Sequence, residues 1–201
     1  SRGVFLSHPG GAGRRAAMAG EGPSAEFLRG YLPGAAAGVK VIGLIGGRSG
    51  CYGGGGLIAG CCSALAVSEP GRIAVSGPEV IETNRGVEEF DSRDRALVWR
   101  TMGGKHRRLL GAADVFTDDT VEGFREAALE LLGLVGAFDL DRLKAEQLRL
   151  ADRLRSFGGC EDAIDIWTAE GIAQAETIPE LPADQFIVLA NNIGRTSRDA
   201  R

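Results

Sequence analysis

The sequence predicts an α/β fold, and three features carry that expectation. Val39, Val41, Ile42, Leu44 and Ile45 make a short apolar run suited to a buried strand, and glycines follow it up to a helix start. A second run at 64–67 (ALAV) and a third at 72–76 (RIAVS) come next, the third closed by Gly77–Pro78. Strand, helix, strand, turn, strand is the order that α/β layers require.

Before this nucleus, Val4–Phe5–Leu6 reads as a short strand and SHPGGAG, with Gly10 and Gly11, as a loop. A helix over 26–37 is interrupted by Gly30, Pro33 and Gly34. Between Ile45 and the helix expected over 55–63 lie Gly46, Gly47, Gly50 and the run Gly53 to Gly56. Glu69–Pro70–Gly71 is a turn. Ser92 is the expected N-cap of a helix over 93–102, and Gly103–Gly104 its stop. Val115–Phe116 is an apolar step followed by Asp118–Asp119–Thr120, where Thr120 suits an N-cap. Phe124, Ala127, Ala128, Leu131 and Leu132 then recur at helical spacing over 121–134. A helix from Asp139 to about Phe157 carries Leu140, Leu143, Leu148, Leu150 and Leu154, a face for a partner or for the core. Short elements follow, and the ending NNIGRTSRDAR reads as frayed. The expected organisation is a core over 1–135 and a helical extension over 136–201.

Composition narrows the function classes. At 201 residues, with 44% hydrophobic and 25% charged side chains, the chain is long enough for a real core. Its 31 glycines are about twice the usual share and gather before residue 60, marking turns. A net charge of −4 argues against general nucleic-acid binding. Neither a membrane span nor a signal peptide is legible, so a cytoplasmic protein is expected. Cys51, Cys61, Cys62 and Cys160 lack metal-ligand spacing and read as reduced thiols. Cys51 sits inside the glycine turn, but a nucleophile there needs a base, and the histidines are His8 and His106. Arg93, Arg95, Arg100, Lys105, His106, Arg107 and Arg108 form one basic cluster: either a solvated helix face or a receiver for an anionic ligand or acidic partner.

The glycine turn itself admits three readings. Gly54, Gly56 and Ala59 satisfy the dinucleotide fingerprint after a strand, but Glu69 falls too early for the supporting acid. A glycine turn opening a helix also presents backbone N–H groups to a developing oxyanion, with no catalytic side chain needed. The third reading is a turn made only for close helix–strand packing. Spacing leaves the last two evenly balanced. No GxxxxGK[ST], HExxH or GxSxG occurs.

Three longer stretches in order, VIGLIGGRSGCYGGGGLIAGCCS, GRIAVSGPEVIE and GVEEFDSRDRALVWRTMGGKHRR, resemble the beta subunit of biotin-independent malonate decarboxylase. That family is related to acetyl-CoA carboxylase carboxyltransferase subunits. The resemblance implies a crotonase-like (ClpP/crotonase) α/β fold with C-terminal helices. It implies decarboxylation of a malonyl thioester on an acyl carrier protein to the acetyl thioester and CO2. Gly53 and Gly54 would be the oxyanion donors, with Cys51 and Tyr52 shaping the turn and Gly77, Pro78 and Glu79 lining the pocket. No cofactor is implied in this subunit, because the substrate rides on the phosphopantetheine-type arm of the carrier. The implied partners are a gamma subunit, the acyl carrier protein and an acyl-transferring alpha subunit. On electrostatic grounds alone, Arg93, Arg95, Lys105, Arg107 and Arg108 would meet the carrier protein or the ligand's phosphate. Where the family carries DTGGxRLQE, this sequence reads SHPGGAGRRAAM: Gly10 and Gly11 match, as a degraded first glycine loop, and the acidic and Gln positions do not. The sequence therefore reads as an N-terminally shortened member. The alternatives are a carboxyltransferase subunit of an acyl-CoA carboxylase and a non-catalytic structural subunit.

Overall fold

The computed structural model describes residues 3–7, 29–31, 33–34, 37–47, 50–134 and 140–198. Four strands, β1 (Gly3–Ser7), β2 (Val41–Ile45), β3 (Ala64–Ser68) and β4 (Val115–Thr117), pair in that order, all parallel. Parallel neighbours require crossovers. Helix α1 (Gly54–Cys61) links β2 to β3. Helices α2 (Pro78–Arg85), α3 (Arg95–Met102) and α4 (Gly104–Leu109) lie between β3 and β4.

The register Leu44 to Ala66 and Ile45 to Val67 puts alternate side chains on opposite faces. On one face Ile42, Leu44, Ala64, Ala66 and Val115 meet Ala127 and Leu131 of α5 (Val121–Leu134). On the other, Ile45, Leu65, Val67 and Phe116 meet Leu109, Trp167, Ile178 and Phe186. Both faces of the sheet are therefore covered, which explains the unbroken apolar runs of β2 and β3. The second cluster draws on residues from both sides of position 135: α7 (Ala163–Ala169), the 3-10 turn Ala175–Glu180 and α8 (Ala183–Arg198) contribute to it. Helix α6 (Leu140–Phe157) differs, since Leu140, Leu143, Leu148, Leu150 and Leu154 are all exposed.

Thr120 caps α5 as expected, its Oγ1 accepting the Gly123 N–H at 3.0 Å. Three expectations are corrected. Residues 72–76 are not a strand: Ile73 bridges Cys51 and Arg72 bridges Gly103, each once. The α3 cap is Asp94, which accepts the Leu97 N–H, while the Ser92 N–H is taken by Glu82. Gly103–Gly104 does end α3, as expected, with Gly103 as its C-cap, and Gly104 at once opens α4. A Cβ at Gly104 would lie 2.1 Å from the Ser68 carbonyl oxygen, so only glycine lets α4 start against β3. The ending expected to fray is helical as far as Arg198. The loop holding Gly10 and Gly11 lies outside the described residues, as does His8.

Phe186 is fully buried, edge-on to Phe116 with ring centroids 4.6 Å apart. Phe186→Ala is expected to lower unfolding free energy by about 3–5 kcal/mol in urea titration, the cost of a large core cavity. A loss below about 1 kcal/mol would show that α8 does not share the sheet's core.

Candidate functional site

The loop from β2 to α1 does not stand alone; it is clasped by the segment after β3. The Cys51 N–H donates to the Arg72 carbonyl at 2.7 Å, and the Ala74 N–H donates to the Cys51 carbonyl at 3.2 Å. The Gly53 N–H donates to the Val75 carbonyl at 2.9 Å. This contact depends on glycine at two points. Gly53 has φ 58°, ψ −128°, a conformation closed to side chains. At Gly56 a Cβ would come within 2.2 Å of the Ala74 carbonyl oxygen.

Of the two expected donors, Gly53 is thus corrected: its N–H is already spent on Val75. The N–H of Gly54, the first residue of α1, makes no hydrogen bond to a described residue, and it heads the helix. At a helix N-terminus such a group adds dipole attraction for negative charge.

Tyr52 joins the other expected residues to this turn. Its ring lies over Gly50, where a Cβ would approach within 2.0 Å, and beside Gly77, where the gap would be 3.2 Å. Gly77 caps α2 and Pro78 opens it, both buried, whereas Glu79 is exposed. The Tyr52 hydroxyl is buried with no hydrogen-bond partner among the described residues. Burial pushes its pKa up, with the Arg72 guanidinium opposing. The structure therefore brings Cys51, Tyr52, Gly53, Gly54, Gly77 and Pro78 to one place, at the starts of two helices.

Cys51 is buried in the core beside Ile45 and Ala59. Burial pushes the Cys62 thiol up to about 11, so it is unreactive at neutral pH. A thiolate at Cys51 finds no good base in His106, which burial and then Arg107 and Arg153 lower to about 3.

The basic cluster is the larger correction. Lys105, His106 and Arg108 are buried rather than solvated. Lys105 Nζ donates to the Pro179 carbonyl at 3.0 Å and to the Leu181 carbonyl, and pairs with Glu69 at 3.0 Å. Arg107 donates to the Ile73 and Thr101 carbonyls, and Arg108 to the Ala190 carbonyl. Arg100 pairs with Asp162 at 3.1 Å. These cations hold the C-terminal segment and the clasp, and are not presented to an anionic partner. Arg93 and Arg95 remain exposed, with Arg95 over the Trp99 ring.

Sequence reasoning missed Ser68 and Asp119. Asp119 Oδ1 accepts the Gly47 N–H at 2.9 Å and the Ser68 hydroxyl at 2.8 Å. Both donors lie where strands end, and the visible signal was an acid just beyond the run Val115–Phe116.

The dinucleotide reading fails on topology. The four described strands follow one another in sequence order, without the reversal that opens a nucleotide crevice.

No protein-family model matches the chain. Over 165 residues it is 33% identical to the malonyl-S-ACP:biotin-protein carboxyltransferase MADC of Malonomonas rubra, covering 77% of this chain and 51% of that protein. Its structure matches a chain of the Pseudomonas malonate decarboxylase hetero-tetramer in complex with malonate. The TM-score is 0.68 and the identity 30%, covering 84% of this chain and 60% of that one. The chain is a relative of the malonate decarboxylase and malonyl carboxyltransferase subunits. A chain of the Pseudomonas MdcD–MdcE hetero-dimer also matches, with TM-score 0.50 and identity 27%, over 64% of this chain and 52% of that one. The chain thus spans about half the length of the curated relative it matches. Among the described residues, no helix is long and apolar enough to cross a membrane.

Two outcomes test the geometry. Gly56→Ala is expected to cost about 1–3 kcal/mol, because the methyl group must displace the Ala74 carbonyl. Gly60→Ala, in open space on the same helix, should be neutral or stabilising by up to about 1 kcal/mol. Equal effects in thermal denaturation would refute the clasp. His106 gives a pH signature: its folded pKa of about 3 lies below the ordinary 6.5. The unfolded chain then binds the proton first, so this stability is present above pH 6.5 and lost as pH falls toward 3. A His106→Gln variant should show a flatter fall of unfolding free energy across that window than the parent chain.

Proposed function

We propose that this chain supplies one crotonase-like half of a heteromeric enzyme that removes the carboxyl group of a malonyl thioester. The observation that carries the reading is the Gly54 amide, at the head of α1 and uncommitted among the described residues. Similarity to malonate decarboxylase subunits supports the substrate class.

The chemistry asks little of side chains. Breaking the bond between the α-carbon and the carboxylate releases CO2 and leaves an electron pair on that carbon. The pair delocalises onto the thioester oxygen as an enolate, and protonation of carbon gives the acetyl thioester. A fixed N–H aimed at that oxygen stabilises the state in which charge develops. Clasping by Arg72–Val75 fixes the Gly54 amide before substrate arrives, and the ring of Tyr52 shapes the wall beside it. The substrate rides on the phosphopantetheine-type arm of an acyl carrier protein. A gamma subunit completes the site, and an acyl-transferring alpha subunit loads the carrier. The enzyme works in the cytoplasm.

A second reading is favoured by one specific observation: the curated relative is a carboxyltransferase to a biotin protein. The same enolate forms there, with the carboxyl group passing to biotin on a separate carrier.

The test is reconstitution of this chain with a gamma-type subunit and a malonyl-carrier thioester, following release of CO2. Gly54→Val keeps the backbone N–H but sets a branched side chain beside it. It is expected to lower kcat by about 100-fold or more, as blocking an oxyanion donor does, with subunit association intact. Wild-type turnover in that variant would sink the site assignment. Turnover that requires a biotinylated carrier and is blocked by avidin would select the transfer reading.

A further inference from the structure

We propose that Asp119 is the positioning residue of the oxyanion turn; this rests on the function proposed above. Two segments build that turn, and both leave the sheet at its carboxyl edge. One departs from β2 through Gly46–Gly47 and returns as Cys51–Gly54. The other departs from β3 at Ser68, passes Gly71, and returns as the clasp Arg72–Val75. A single oxygen, Asp119 Oδ1, accepts from the first residue chain of each departure: the Gly47 N–H at 2.9 Å and the Ser68 hydroxyl at 2.8 Å.

Crowding reinforces the geometry. A Cβ at Gly46 would lie 2.4 Å from Asp119 Oδ1 and 2.5 Å from the Phe124 ring, so this glycine lets the loop lie against both. Gly47 has φ 79°, which lets the chain turn away just after its amide is fixed. The Gly71 N–H closes back on the Ser68 carbonyl at 3.0 Å, so the path of the clasp starts from the residue that Asp119 holds. Ser68 itself is fully buried, its backbone carbonyl packed against Gly104 of α4. Asp119 lies just past the end of β4, after Asp118, so one carboxylate links the ends of three adjacent parallel strands. Hydrogen bonds to an ionised acceptor are stronger than neutral ones, and two to one oxygen fix the relative position of both donors. Asp119 thus sets the separation of the loop and its clasp, and through them the direction of the Gly54 amide.

The experiment uses the reconstituted complex with Asp119→Ala, Asp119→Asn and Gly54→Val, at a temperature where each is folded. Asp119→Ala should lower kcat at least tenfold while KM for the malonyl-carrier thioester stays within about twofold. Asp119→Asn keeps an oxygen acceptor at the same place and should restore kcat to within about threefold of the parent. Amide hydrogen exchange should rise in Asp119→Ala at 46–47, 50–54 and 69–75 and not in β2 or β3. Parent-like kcat in Asp119→Ala, no rescue by Asn, or faster exchange spread evenly through the sheet would each overturn the proposal. If Gly54→Val turns over like the parent, the function reading fails by itself, and local exchange then decides whether Asp119 holds the turn.

Discussion

A stretch of backbone can meet a neighbouring carbonyl head-on only where no Cβ stands in its way. The contact of residues 51–56 with 72–75 is built on that condition, and the rest of the site depends on it. Gly56 leaves room for the Ala74 carbonyl, and Gly53 takes a conformation that points its N–H at Val75. Beyond these contacts α1 begins at Gly54, whose N–H has no partner among the described residues. The glycine run is therefore both a packing device and the source of a free donor. The two readings that spacing left balanced are not exclusive, because close packing is what orients the amide.

Much of the architecture was legible because the periodicity of the chain follows burial. Apolar runs marked β2 and β3, and Thr120 with the helical recurrence of Phe124, Ala127 and Leu131 marked α5. Where tertiary contacts override local pattern, the sequence misled. RIAVS has the composition of a strand, yet its neighbours are the glycine loop on one side and Gly103 on the other, each reached by a single bridge. The cap moved from Ser92 to Asp94 because Glu82 claims the Ser92 N–H. Of the site, the expected residues from Cys51 to Gly54 and from Gly77 to Pro78 do converge. The commitment of Gly53, and the linkage made by Asp119, are invisible to spacing because their partners lie 22 and 72 residues away.

The basic cluster shows the same limit in electrostatic form. A run such as KHRR reads as a charged face, since charges are expensive to bury without partners. Here the partners exist: carbonyls that end helices and turns elsewhere in the chain. Lys105 spends its donors on Pro179, Leu181 and Glu69, and Arg107 spends its own on Ile73 and Thr101. Backbone acceptors at irregular segments are otherwise left over when a chain folds. Long cations reaching from one short helix satisfy several of them at once, which ties the C-terminal turn and the clasp to α4. On the proposed function, the weight falls from the charged residues to the glycines they help hold in place.

With Gly54 as the donor it supplies on the proposed function, this chain's half of the site is chemically one-sided. An enolate or tetrahedral oxygen has more than one lone pair, and oxyanion holes commonly pair two donors around it. Gly53 cannot supply the second without giving up Val75, and that would loosen the clasp that aims Gly54. Opposing demands on neighbouring amides are relieved if the second donor comes from another surface. The helix starts of α1 and α2 lie side by side near Tyr52, so a complementary glycine turn facing them would close a pocket around a thioester without rearranging either. On the proposed function a division of labour follows: this chain would fix one donor and one wall, the opposing surface would supply the rest, and the competent site would form only on assembly.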